Sequence, residues 1–261
     1  MTASEAHPLH YMERMTSPQV ERLAGLTNLA LLPVAPPEAH GPHLPLGTDA
    51  IAARELCGRA ARELAARGVE CVIAPLLSYC LAEVAAPFPG TISVRPEVVS
   101  ALVADICRGL SRSGFGRTLV VSGHAEEENL VALRAGAEQA SAGETRAQVS
   151  RWYGDALPQL LHLLREDHPQ HDIHAGEWET ALVLLRAPEL VDRMALDALS
   201  PNWETRNISE RRATGGRTFP QLGAPEAYSG DPRRATPATA ENLYAALGRF
   251  VAQEGASLLR S

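Results

Sequence analysis

The sequence predicts an α/β protein: a mainly parallel sheet covered on both faces by helices, in a single domain over residues 1–261. Three apolar runs point to it, at 27–35 (TNLALLPVA), 70–77 (ECVIAPLL) and 117–122 (RTLVVS), each of strand length and bounded by turn residues. Helical patterns fall between them, as the crossovers of a parallel sheet require. The 45% hydrophobic content over this length is enough for one sizeable core.

Taken in order, residues 1–26 read as an N-terminal extension. The first apolar run stops at Pro36-Pro37, as a buried strand that ends sharply does. EAHGPHLPLGTD (38–49) is a loop rich in Gly and Pro. Ile51, Leu56, Ala60 and Leu64 then share one face of a helix over 51–67, closed by Gly68. After the second strand, 78–95 is irregular, and Pro96 suits the first turn of a helix reaching Arg112. The third strand leads directly into Gly123-His124. Residues 130–140 read as a helix, 148–153 as a strand and 155–166 as a helix. HDIHAGEWETALVLLR (171–186) sets a polar cluster at the front of an apolar helix or strand. Residues 200–237 lack periodicity and read as an irregular, lid-like segment. An amphipathic helix over 241–259 closes the domain.

Composition excludes several functions. The 24 basic residues against 31 acidic ones give a net charge of −7, without the basic footprint that nucleic-acid binding needs. No apolar run approaches the roughly 18 residues that span a bilayer, and the first residues lack the apolar core of a secretory signal, so no membrane role is expected. All 24 basic residues are arginine. Without lysine there is no Schiff-base chemistry, no lysine-anchored pyridoxal phosphate and no P-loop lysine. Cys57, Cys71, Cys80 and Cys107 form no C-x-x-C pair, which suits free buried thiols and a cytoplasmic location. A G-x-S-x-G elbow is missing, which argues against a serine hydrolase.

Chemistry-bearing residues gather after strand ends, where open α/β sheets place their sites. Glu38, His40, His43 and Asp49 follow the first strand; His124, Glu126, Glu127 and Glu128 follow the third; His174, Glu177 and Glu179 lie in HAGEWET. Glu38 and His40 are two apart, so an extended segment projects both the same way. Asp49 opens a helix, where a carboxylate serves as cap, ligand or both. Mixed imidazole and carboxylate donors suit Zn²⁺, Mn²⁺ or Fe²⁺ better than Ca²⁺ or Mg²⁺. Two divalent ions would carry four positive charges, which Glu38, Asp49, Glu126 and a bridging hydroxide balance to zero. Taken singly, each residue is also an ordinary surface group, and Glu126 to Glu128 equally fit the solvated first turn of a helix.

PPEAHGPHLPLGTD (36–49) resembles the signature loop of the creatininase family, the creatinine amidohydrolases. PFPGTIS (87–93), VVSGH (120–124), HAGEWET (174–180) and SGDPRRATPATAE (229–241) agree in order, so the resemblance covers roughly residues 27–250. It implies a three-layer α/β/α sandwich, two divalent metal ions per chain (Zn²⁺ first, Mn²⁺ or Fe²⁺ as alternatives) and a homo-oligomer, a hexamer in this family. The implied metal ligands are Glu38, His40, Asp49, His124 and Glu126. Asp49 bridges, Glu38 and His124 complete one metal, and His40 and Glu126 complete the other. His174 is implied to act near the scissile bond, with Glu177 or Glu179 accepting the proton of the attacking water, and Trp152 and Trp178 walling the substrate pocket. The turn SGHAEEEN (122–129) departs from the family's usual Asn-Gly-His-Gly-Gly-Asn, and Glu177 therefore stands as an alternative ligand. The implied activity is hydrolysis of a non-peptide C–N bond in a small-molecule amide, such as a creatinine-like cyclic amide. A formamide or modified-peptide bond is the alternative, and a catalytically silent metabolite-binding relative is a second.

Overall fold

The computed structural model describes residues 9–261; residues 1–8 of the expected extension lie outside it. Five strands, β1 (His10–Tyr11), β2 (Leu29–Val34), β3 (Val72–Ile73), β4 (Arg117–Ser122) and β5 (Arg146–Val149), form one all-parallel sheet in the order β1-β3-β2-β4-β5. The helices are α1 (Ser17–Ala24), α2 (Thr48–Ala65), α3 (Pro96–Arg112), α4 (Glu127–Ala140), α5 (Leu157–Leu160), α6 (Glu177–Arg186), α7 (Arg193–Ala198), α8 (Ile208–Ala213), α9 (Phe219–Leu222) and α10 (Pro237–Leu258). Among the described residues no helix is long and apolar enough to cross a membrane.

The period-two geometry of a strand builds both apolar layers at once. Leu29 and Leu31 of β2 and Leu119 and Val121 of β4 pack under α2, α6 and α10. Ala30, Leu32, Val34 and Val120 pack under α3 and α4 on the opposite face. The expected sandwich with helices on both faces is therefore the observed one.

The elements differ in detail where tertiary contacts override local pattern. The second strand is two residues long rather than eight, because Pro75 has no N–H to continue the ladder; Ala74 and Leu77 still donate to Leu31 and Pro33. The strand expected over 148–153 ends at Val149, and Trp152–Ala156 form a π-turn instead. The helix expected over 155–166 survives only as α5 and one further turn. Its last amides, Arg165 and Glu166, donate to the Glu177 carboxylate at 2.7 and 2.8 Å rather than to helical carbonyls. Within 200–237, Phe219, Leu222, Ala224 and Ala227 are buried against Ala39, Val84 and Ala85, so this aperiodic segment packs over the loop that follows β2.

Candidate metal centre

The neighbouring strands β2 and β4 run in register to Val34 and Ser122. From there the chain leaves in opposite directions, β2 through α2 toward β3 and β4 through α4 toward β5, which opens a crevice at their carboxyl ends. The loop after β2 brings in Glu38 and His40, the first turn of α2 brings Asp49, and the turn after β4 brings His124. Gly123 makes the last approach possible. A Cβ there would fall well inside contact distance of the Asp49 carbonyl oxygen, so only glycine lets β4 end this close to α2.

These groups converge almost fully out of water: Glu38 and His40 are 0% exposed and Asp49 1%. His124 Nδ1 lies 2.7 Å from Glu38 Oε2 and 3.3 Å from Asp49 Oδ2. On the other side, His40 Nε2 lies 3.1 Å from Asp49 Oδ1 and 3.7 Å from Glu179 Oε1. Asp49 thus divides its two oxygens between two donor sets, Glu38–Asp49–His124 and His40–Asp49–Glu179, each close enough to hold one ion. His40 donates through Nδ1 to the Glu38 carbonyl at 3.0 Å, which fixes the tautomer and leaves Nε2 as the donor atom for a cation.

The electrostatics suit bound cations. Glu38 Oε1 and Oε2, His40 Nε2, Asp49 Oδ2 and His124 Nε2 are buried without a hydrogen-bond partner. Burial pushes the Glu38 carboxyl up to about 7, against the pull of His124. Burial alone would lower His40 and His124, but the facing carboxylates, Asp49 and Glu179 for the first and Glu38 and Asp49 for the second, hold both well above the usual range. Burial would raise Asp49, but the two imidazoles hold it far below an ordinary carboxylate. This donor set and charge balance suit a pair of divalent cations.

The other expected site residues are distributed unevenly. Glu126 stands on the far side of His124, its Oε2 3.6 Å from Nε2 and accepting the Val84 N–H at 3.1 Å. The expected pairing of His40 with Glu126 is therefore not the one the structure makes; Glu179 occupies that position. Residues two apart on a helix point about 200° apart, so α6 can turn only one of Glu177 and Glu179 toward the centre. Glu177 faces away, bound to the Arg165 and Glu166 amides and to Thr239 Oγ1. His174 is held by Ser229 Oγ, donates through Nε2 to the Ala39 carbonyl at 2.8 Å and stacks on Phe219 at 4.2 Å. Burial and the neighbouring His40 keep it well below the usual histidine range, hence neutral. Trp152 is 2% exposed, packs in the core and donates Nε1–H to the Ser122 carbonyl, and it lines the larger groove beside β5 rather than the cavity over the centre. Trp178, equally buried, does line the cavity above the centre. His43 hydrogen-bonds Thr180 at 2.8 Å, and burial takes it down to about 4.

That cavity measures about 200 Å³ and is also lined by Tyr153, Arg212 and Phe219. None of these three carried a signal in the sequence; Arg212 and Phe219 sit in the aperiodic stretch. A larger groove of about 950 Å³ runs beside β5 and α4 and shares His124, Ala125 and Tyr153 with it.

A parallel α/β/α sandwich with a carboxylate shared between two candidate cation-binding donor sets defines the class of this protein, an α/β protein with a candidate metal centre at its topological switch point. Residues 13–254 match the creatininase family, described as creatinine amidohydrolase, and the chain belongs to that family of amidohydrolases. It is 28% identical over 227 residues to the mycofactocin precursor peptide peptidase of Mycolicibacterium smegmatis, covering 86% of this chain and 83% of the relative. It is 30% identical over 187 residues to the creatinine amidohydrolase of Pseudomonas putida, covering 66% and 69%. The crystal structure of a creatinine amidohydrolase (creatininase) superposes with a TM-score of 0.76 at 21% identity, over 98% of this chain and 100% of the other. A manganese creatininase and a zinc–zinc form of a creatininase variant match with TM-scores of 0.75 and 0.73, each at 22% identity, over 97% and 98% of this chain and all of the other.

Proposed function

We propose that the chain hydrolyses a C–N bond of a small amide at a centre of two divalent cations held by Glu38, Asp49 and His124 and by His40, Asp49 and Glu179. The observation that carries this reading is the division of Asp49 between the two donor sets, its oxygens 3.1 Å from His40 and 3.3 Å from His124. Bound cations would lower the pKa of water toward neutrality and polarise the scissile carbonyl. The chain's own groups do the rest. Glu126, fixed through Oε2 by the Val84 amide, has a second oxygen to accept the proton of the attacking water. That same proton must end on the leaving nitrogen, and His174, with Nε2–H committed to Ala39, offers Nδ1 to relay it there. Phe219 holds the imidazole plane, and Val84, Ile208 and Leu222 keep the cavity apolar. Zn²⁺ or Mn²⁺ suits these donors, and both occur among the structural relatives' descriptions.

A cavity of about 200 Å³ admits a small cyclic amide or formamide. The larger groove, which shares His124 with it as a lining residue, favours a second reading, a bond in a modified peptide, in keeping with what the M. smegmatis relative is named for. Metal content and substrate preference test both readings. The Asp49→Ala and His124→Ala variants should lose bound metal, and retention of about two ions per chain by either would overturn the site assignment. Amine release from a panel of cyclic amides, formamides and short peptides separates the substrates. Absence of bound metal after reconstitution of the wild-type protein would favour a silent relative instead.

A further inference from the structure

Apart from the carboxylates and imidazoles of the centre, the cavity is largely apolar, with two polar exceptions, Tyr153 and Arg212. Arg212 lies near the end of α8, exposed at the cavity, and among the described residues its guanidinium makes no hydrogen bond or ion pair. Its neighbour Arg211 is already taken by Glu204 at 3.0 Å. Burial pushes the Tyr153 hydroxyl up to about 12, and Arg212 is among the charges that work against that rise, which places the guanidinium within electrostatic reach of this ring. Glu126, which lines the same cavity, is engaged by the Val84 amide and His124 instead. Glu38, Asp49, Glu126 and Glu179 also line this cavity; with cations bound at the centre to balance its carboxylates, Arg212 is the further fixed positive charge in the lining that an anionic ligand would meet. A guanidinium presents a planar fork of donors matched to a carboxylate.

We propose that Arg212 and Tyr153 form a carboxylate subsite, which makes the preferred substrates small amides that also carry a free carboxylate. This rests on the amide-hydrolase reading, which puts the scissile carbonyl at the metal centre while the substrate's carboxylate reaches Arg212.

The test is binding rather than turnover. Zinc-loaded wild-type protein, Arg212→Gln and Arg212→Lys are titrated by calorimetry with N-formyl amino acids of increasing chain length, from N-formylglycine to N-formyl-5-aminopentanoate, and with their carboxamides. The wild-type protein should bind at least one acid about tenfold more tightly than its carboxamide. Arg212→Gln should abolish that preference with carboxamide binding and zinc content unchanged, and Arg212→Lys should restore part of it. A wild-type protein that never prefers the acid, or a preference that persists in Arg212→Gln, overturns the subsite. Formate release in parallel judges the hydrolase reading separately: an intact binding preference with no turnover of any amide would count against the reaction and leave the subsite standing.

Discussion

Replacing Glu179 with glutamine removes a charge while keeping a shape, and it separates the two carboxylates that compete for the second metal position. Glu179 Oε1 lies 3.7 Å from His40 Nε2, while Oε2 accepts the N–H of Ala175. Ala175 sits at φ 49, a conformation that costs a non-glycine residue about 1 kcal/mol and is held there by this bond. In Glu179→Gln the amide oxygen can still accept from Ala175, so metal-free stability should change by less than about 1 kcal/mol, or about 2–4 °C in Tm. The His40–Asp49 site, in contrast, loses one of its two anionic donors. We expect at least ~100-fold weaker binding there, about 2.7 kcal/mol, so that at metal levels filling both sites of the wild-type protein the variant keeps about one ion per chain. Glu126→Gln, whose target lies beyond His124, should keep about two. Elemental analysis after gel filtration and calorimetric titration read both numbers. If Glu126→Gln lost the second ion and Glu179→Gln kept it, the assignment of Glu179 would be wrong. Glu179→Ala should in addition destabilise the metal-free protein by about 1–3 kcal/mol, since the Ala175 amide is left unpaired.

Gly123→Ala should cost about 1–3 kcal/mol in chemical denaturation and lower metal occupancy, because the added Cβ forces β4 away from Asp49; a variant with full stability and full metal content would show that the close approach is not needed. In the metal-free protein His40 and His124 hold their protons well above the ordinary histidine value of 6.5, so their stabilisation is complete below that value and is lost as pH rises through the raised ones. Metal-free Tm should therefore fall on raising the pH above 6.5, and zinc affinity, which must displace the same protons, should go on rising there; an affinity that levels off below pH 6.5 would contradict this. Trp152→Phe should destabilise by about 1–3 kcal/mol through loss of the bond to Ser122 and a core void, with metal content unaltered. A change in KM with no change in Tm would instead mark Trp152 as a substrate contact.

Much of the candidate centre was legible because its candidate ligands lie at strand ends. Glu38, His40 and Asp49 sit within one loop and one helix start, and His124 directly follows an unmistakable apolar strand, so the sheet topology alone brings them near each other. The choice between Glu177 and Glu179 was not legible in HAGEWET until that segment was known to be a helix, since its periodicity allowed a strand, which would turn both glutamates the same way. Glu126 looked equivalent to Glu179 by residue type. What set it apart was the Val84 amide, 42 positions distant, which draws its carboxylate to the far side of His124.

The order of residues by itself determined the apolar strands, the helices over α2 and α3, the absence of lysine chemistry and the identity of most candidate ligands, because these follow from local periodicity and side-chain type. Only the tertiary structure decided that Asp49 is shared, that Glu179 stands with His40 while Glu177 clamps the chain after α5, and that Arg212 and Phe219 reach the cavity. Those outcomes depend on which groups lie a few ångströms apart after folding, and distance between remote residues is set by the packing of the sheet and its two helical layers rather than by any pattern along the chain.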